Sequence, residues 1–409
     1  MAINTDSGQL VYGNPNPDDL NSEQLKLYGI IRKALIETED MLTFSKLSSS
    51  SRKVISNNSG KTLKGYRYFP ILDDRNIGTH GLDSAGNAIA NQNLYGSSMD
   101  IDTILNAQPI LTEYGGRVNR VGISRETYEA SPQEIGIFTE WTRNSLKFDT
   151  DVELFSHITR ELMIAMEQIM EDRIAIDLIS GAGVVLYGGV ATKLDEVTGE
   201  ATAAEVSVVD YDILQRVTTV LDDNKCRVDT TLYGGSTRQE NKPISNARFA
   251  FMGSALRSEI LKVTNYHNKE AFVNSYQYAS AISAYGRMDR VFKGEVGAID
   301  GLRFIIVDRM PYHAGKGATV NNNGGYRETG GKYDCYPILI VGSDSFSHLK
   351  FSSDYNESGQ FEINYKSPKD AGGVHDPFHR NGYYSLSTSQ GTLISHPEWI
   401  AVMWFVAEQ

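Results

Sequence analysis

Asp149–Gly183 reads DTDVELFSHITRELMIAMEQIMEDRIAIDLISGAG, and it carries the strongest secondary-structure signal in the chain. Thr150-Asp151-Val152-Glu153 is a capping box, in which hydroxyl and carboxylate each satisfy a backbone N–H that the first turn leaves unpaired. Leu154, Ile158, Leu162, Ala165, Ile169 and Ile176 follow as one apolar stripe at helical spacing. Glu161, Glu167, Glu171 and Asp172 make up much of the remaining surface. Gly181-Ala182-Gly183 ends the run, with Gly expected to supply a left-handed cap. A helix over 150–180 spans roughly 45 Å at 1.5 Å per residue. That is long for a globular enzyme and suits a spine across a plate-like subunit.

Working outward toward the C-terminus, a polar turn (Lys193 to Ala203) and a second helix (Tyr211 to Asn224) come next. Gly301 to Val307 reads as a buried strand. A Gly/Asn-rich loop (Gly315 to Gly331) and a further strand (Tyr336 to Val341) follow it. The chain closes on Trp399-Ile400-Ala401-Val402-Met403-Trp404-Phe405-Val406-Ala407, too apolar to stay in water, so this end is tied into the core.

Toward the N-terminus, strand-like stretches at Tyr66 to Leu72 and Leu111 to Ser124 bracket a segment dominated by Gly, Asn, Asp and Ser. A loop of that length needs a reason in a compact domain. It is a disordered insert or a long hairpin packed on another subunit, and the flanking strands favour the hairpin. Leu27, Ile31 and Leu35 recur every four residues after a capping-box-like Asn21…Gln24 and predict an amphipathic helix. Residues 1–21 read as a flexible or draped terminus. Lys46, Arg52, Lys53, Lys61 and Lys64 make the intervening segment basic, either a solvated tail or an arm lying on an acidic neighbour.

Composition narrows the function. Lys plus Arg is 39 against 51 Asp plus Glu, a net charge of −12, which opposes general affinity for nucleic acid. A protein that merely faces packed DNA gains from that repulsion. Tyr (22) outnumbers Phe (15), which suits partly wet interfaces. Cys226 and Cys335 offer neither a disulfide framework nor a zinc cluster and read as buried thiols in a reducing cytoplasm. No apolar leader or membrane-spanning run is expected, and the chain reads as a soluble cytoplasmic product.

Each catalytic template fails at a named position. Ser59-Gly60-Lys61-Thr62 resembles the end of a phosphate loop, but its leading Gly would stand at Ile55. Gly181-Ala182-Gly183 follows a helix instead of a strand, and Leu186 replaces the third Gly of a dinucleotide fingerprint. Asp354-x-Asn356-x-Ser358-Gly359 opens like a calcium loop but closes on Tyr365 where a Glu is needed. His375 and His379 form the one local His pair. Pro377 between them opposes a helix that would align the imidazoles, and no third ligand lies nearby. His80, His157, His267, His313, His348 and His396 are scattered. The expectation is no catalytic residue, no metal and no cofactor in an α+β chain.

Three segments nevertheless resemble one family, the major capsid proteins of N-four-like short-tailed bacteriophages, a branch of the HK-ninety-seven-type capsid fold that encapsulins share. Asp376-Pro377-Phe378-His379-Arg380-Asn381-Gly382, followed by Ile394 and Trp399-Ile400-Ala401, is similar to that family's closing "DP-x-x-x-x-G" turn and final strand. Gly294-Glu295-Val296-Gly297-Ala298-Ile299-Asp300-Gly301-Leu302-Arg303-Phe304 resembles its "GEIG-x-I-x-G-x-RF" segment. Leu111-Thr112-Glu113-Tyr114-Gly115 resembles the strand returning from its extended loop.

The resemblance implies an N-terminal arm (1–64), an extended loop (65–125) and a peripheral domain (126–225) with its spine helix at 150–180. It further implies an axial domain (226–376) and a strand returning to the peripheral sheet (377–409). It implies hexamers and pentamers closing an icosahedral shell around double-stranded DNA in the virion, assembled in the host cytoplasm. Portal, scaffolding and decoration proteins would be partners, with no membrane. An encapsulin-like protein compartment is the alternative. Some relatives weld their shells through a Lys on the extended loop. No Lys stands between Lys64 and Lys147 here, so no such crosslink is expected.

Overall fold

The computed structural model describes residues 9–10, 44–47, 53–55, 62–76, 83, 87–89, 92–110, 121–144, 154–203, 205–233, 241–275, 294–307, 309–351, 362–368 and 377–409. The expected helix over Leu27–Leu35 and the capping box at Thr150–Glu153 lie outside them. Two compact units are present: residues 60–131, and the rest of the chain.

The larger unit contains two large sheets and a two-stranded ribbon, Glu328–Thr329 paired with Lys332–Tyr333. One has six strands in the order Gln9–Leu10, Gln133–Thr142, Asn381–Ile394, Phe346–Phe351, Lys53–Ile55, with Glu362–Lys366 also paired to Asn381–Ile394. The other has eight. Its path is Val184–Tyr187, Ile400–Phe405, Tyr336–Val341, Asn241–Gly253, Leu302–Val307, Glu295–Ile299, Val273–Asn274, with Asp229–Tyr233 paired to Asn241–Gly253.

Tyr336–Val341 and Ile400–Phe405 are buried at every position, which explains why both read as unbroken apolar runs instead of alternating ones. One face, with Ala250, Met252, Ile338, Ile340, Ala401 and Met403, packs on Ile213, Leu214, Val217 and Leu221 of the helix Tyr211–Asp223. The other, with Phe249, Phe251, Leu339, Val341 and Val402, packs on Ile174, Ala175 and Leu178 of the long helix. The Asp210 carboxylate caps the helix Tyr211–Asp223 by accepting from the Tyr211 N–H at 2.7 Å.

The long helix runs Leu154–Ser180, but its buried face differs from the expected stripe. Met163, Met166, Met170, Ile174 and Leu178 are buried, whereas Ile176 is exposed. Apolar side chains surround much of this helix, so spacing alone allowed two stripes about one residue apart. The methionines occupy the true interface, against Trp141, Tyr384 and Leu386 of the six-stranded sheet. Glu167, expected on the surface, is buried.

Neither Gly181 nor Gly183 has a positive φ, which corrects the expected left-handed cap. Both are required by space. A Cβ on Gly181 would collide with Ile394, and one on Gly183 would lie 2.7 Å from the Pro397 carbonyl oxygen, to which Gly183 N–H already donates.

The last two long strands of the chain lie in different sheets. Ile400–Phe405 pairs with Tyr336–Val341 and Val184–Tyr187 in the eight-stranded sheet. Asn381–Ile394 is the strand that lies under the long helix beside Gln133–Thr142. Phe346–Phe351 and Glu362–Lys366, placed by sequence with the axial segment, share that six-stranded sheet. The chain therefore crosses between the two sheets through the long helix and again at 342–345 and at 395–399. Ser395 and His396 N–H both donate to the Ser345 carbonyl, at 2.9 and 3.1 Å.

Asp229 is buried beside the first crossover. Burial, helped by the negative charge of Asp344 and opposed by a hydrogen bond from Ser343, pushes its carboxyl up to about 6. The folded chain then keeps a proton that the unfolded chain releases near its ordinary value, so this group's contribution is full at low pH. It is lost as pH rises through the window from about 4 to about 6. Asp229→Asn should remove that loss. The gain in unfolding free energy of the variant over the parent should be larger at pH 7 than at pH 4 by roughly 2 kcal/mol in urea titrations.

Candidate assembly surfaces

The smaller unit begins with a two-stranded ribbon, Leu63–Tyr68 antiparallel to Arg125–Ala130. The expected first strand thus starts and ends earlier than Tyr66–Leu72. The strand that pairs with it is Arg125–Ala130, and residues 121–124 of the expected Leu111–Ser124 stretch are not in a strand; residues 111–120 lie outside the described ones. Alternation along Leu63–Tyr68 leaves Lys64, Tyr66 and Tyr68 exposed. Lys64 pairs with Glu129 at 2.9 Å, Arg67 with Glu126 at 2.6 Å, and the Arg125 guanidinium lies 4.6 Å over the Tyr66 ring.

Beyond the ribbon, two fully buried asparagines replace an apolar core. Asn76 donates to the carbonyls of Pro70, Ile71 and Gly122 and accepts from Ser124 N–H at 2.9 Å. Asn93 donates to Ile71 and Gly122 carbonyls and accepts from Gly122 N–H at 3.1 Å. Asp100 caps a short helix, Ile101–Asn106, by accepting from Thr103 N–H at 2.9 Å. The two Thr103 hydrogen bonds hold the Asp100 carboxyl below its ordinary value.

Among the described residues of this unit the buried apolar side chains are Leu94 and Ala107. Met99 (84% exposed), Ile101 (72%), Leu105, Ile110 and Ile123 face solvent instead. A polar-pinned ribbon with so little buried hydrocarbon cannot stand alone; it needs a covering surface.

In the larger unit, the 294–304 segment is a hairpin. Asp300 and Gly301, with φ of 44° and 82°, form its two-residue turn, which is why Gly follows Asp here. Its two strand-borne charges answer each other: Glu295 Oε1 lies 3.6 Å from Arg303 Nη1, with side chains 0% and 11% exposed. The closing turn has a comparable logic. A Cβ on Gly382 would lie 2.7 Å from Trp141 Nε1 and 2.8 Å from Pro368 Cδ, so only Gly fits.

Among the described residues no three His, Cys, Asp or Glu side chains converge as a metal site. His379 sits in an exposed turn, while His375 and the 354–361 part of the calcium-like segment lie outside the described residues, as do Ser59, Gly60 and Lys61. Burial pushes the Cys226 thiol up to about 11 and Cys335 up to about 12, values of unreactive core thiols. No helix among the described residues is long and apolar enough to cross a membrane.

A family model described as phage capsid protein matches residues 125–337, from the returning ribbon strand through the hairpin to the central sheet. The major capsid protein of Pseudomonas phage KPP21 is 36% identical over 379 residues, covering 92% of this chain and 91% of the relative. The chain belongs to the phage major capsid proteins. The capsid of Ralstonia phage GP4 superposes with a TM-score of 0.54 at 13% identity, covering 98% of each chain, so the HK-ninety-seven-type fold extends along nearly the whole capsid subunit. The protein is therefore a structural component of the virion, copies of which form the icosahedral head shell, and not an enzyme.

The two quoted motifs of this capsid subunit were legible because each encodes a local necessity: a turn, a buried ion pair, a Gly with no room beside it. The asparagine hub and the methionine face were missed. Isolated Asn residues in a Gly/Asn/Ser-rich stretch look like loop composition, and only the fold reveals which two are buried.

Proposed function

We propose that the capsid subunit assembles as hexamers and pentamers through the 60–131 unit acting as an extended loop over a neighbouring copy. The observation that carries this is the exposed apolar set Met99, Ile101, Leu105, Ile110 and Ile123 on a unit whose described residues bury only Leu94 and Ala107 among their apolar side chains. The long helix and six-stranded sheet serve as the peripheral domain, the eight-stranded sheet as the axial domain, and the segment before residue 60 as an arm. The sheet memberships above support these roles and move the closing strand to the axial side. Enclosed double-stranded DNA, with portal, scaffolding and decoration partners, follows from the family. The likeness of residues 294–304 and 376–382 to the N-four-like lineage supports placement there.

The test is a triple variant, Met99→Ser, Ile101→Ser and Leu105→Ser. The subunit should remain folded, with an unchanged melting temperature of its larger unit, but sediment as small species instead of shells. Normal shells from this variant would refute the role of the loop.

A further inference from the structure

The turn Pro377–Arg380 lies at one end of the six-stranded sheet, where Asn381–Ile394 begins and Gln133–Thr142 ends. All four of its residues are exposed. Phe378 is 72% exposed, the Arg380 guanidinium lies 5.6 Å from its ring centroid, and the next residue, His379, holds a φ of 52°. A non-glycine residue in that region costs energy, and such outliers concentrate where a backbone presents a side chain for use. The turn is braced from below. Arg143 N–H donates to the Arg380 carbonyl at 2.5 Å, and Gly382 is wedged against Trp141, Pro368 and the Lys366 carbonyl. Arg143 and Lys366 are themselves exposed beside it. The result is a rigid knob with an aromatic tip and a cationic collar, on a chain whose net charge is −12.

The same sheet carries a matching face. Ile135, Ile137 and Trp141 point to the long helix, so Glu134, Gly136, Phe138 and Glu140 point away from it. Phe138 is 67% exposed. Its cross-strand partner is Ser385, and Ser387 and Ser389 stand opposite Gly136 and Glu134. Ser385, Ser387 and Ser389 thus form a flat stretch beside the exposed Phe138 ring, with Glu134 at one end and Glu140, opposite Tyr383, at the other.

We infer that the Phe378 knob of one subunit seats on the Phe138 face of a second copy, ring against ring, with Arg143 and Arg380 facing Glu134 and Glu140. The two surfaces differ, so the contact is heterologous and propagates from copy to copy, as a shell requires. Aromatic and Arg anchors on a small-residue floor are the composition of an interface hot spot. The inference rests on the reading of the chain as a self-assembling shell subunit, but it uses none of the 60–131 unit.

The test uses the full chain in four variants: Phe378→Ser, Arg380→Glu, Glu134→Arg, and the last two combined. Shell yield is read by sedimentation and electron microscopy, and the melting temperature of unassembled subunits reads the fold. Each single variant should lower shell yield about tenfold or more with the melting temperature within a few degrees of the parent. The charge-swapped pair should recover most of the yield. If Arg380→Glu alone lowers the melting temperature, Phe378→Ser and Glu134→Arg still decide the matter. Single variants that assemble like the parent would overturn the inference, as would a swapped pair no better than its components. Normal shells that fail to retain DNA or an accessory protein would assign the knob to that partner and overturn it equally. Loss of shells in the Met99/Ile101/Leu105 variant together with normal shells here would separate the loop reading from this one.

Discussion

Glu295→Ala should destabilise the subunit by about 3–5 kcal/mol, a large share of the stability of a typical domain. Glu295 is fully excluded from water on the hairpin Glu295–Ile299/Leu302–Val307, and Arg303 across the hairpin is nearly so. Removing the carboxylate takes an opposite charge away from a guanidinium in a low-dielectric site, where breaking an ion pair on one side is costly. Part of that cost comes from the charge that remains, and that gives a second expectation. Glu295→Met combined with Arg303→Met should recover most of the loss, since neither charge is then left behind. Urea unfolding of unassembled subunits reads both. A single variant within 1 kcal/mol of the parent would show that Arg303 is solvated through another route.

Phe44→Ala is expected to cost about 3–5 kcal/mol as well, through a cavity. Phe44 lies in the short helix Phe44–Leu47 and is 1% exposed. Its ring stands 5.0 Å from Phe251 at 57°, and it belongs to the core cluster of Ile174, Ala175 and Leu178 on the long helix. Its backbone N–H donates to Glu171 Oε2 at 2.8 Å. The side chain thus fills the space between the long helix and the eight-stranded sheet from a short helix far from both in sequence. Phe44→Leu should lose less than half as much, because a leucine retains most of the filled volume. A thermal or urea transition in Phe44→Ala unchanged from the parent would mean that the layers close without it.

How far the residues foretold these features depends on whether the decisive contact was local. The central strands Tyr336–Val341 and Ile400–Phe405 were legible, since covering a strand on both faces demands an unbroken apolar run, and Leu302–Val307 was legible from its apolar residues on either side of Arg303. The helix Tyr211–Asp223 was legible to within a residue, because its cap and its stripe agree. Phe44 was not, because nothing near it in sequence marks one aromatic among Thr, Ser and Lys as a core residue. The same limit misplaced the closing strand. An apolar run shows that a strand is buried, but its neighbours are chosen by long-range register, here with Tyr336 and Val184. Gly181 and Gly183 show a related ambiguity: Gly after a helix fits either a positive φ or a close approach, and the packing of Ile394 and Pro397 selects the second.

The assembly surfaces were legible in outline only. A long polar segment between strands suggested something that needs a neighbour, yet its exposed Met99, Ile101 and Leu105 are too sparse to form a periodic signal. The absence of Lys between residues 64 and 147 predicts a shell without a loop-borne amine bond, to be read as a monomer band instead of a covalent ladder on denaturing gels of assembled particles.

The most direct measurement is electron microscopy of the chain expressed alone and concentrated under native conditions. Closed shells or rings of five and six subunits are the predicted result. A homogeneous, compact monomer that stays single at every concentration would contradict the account.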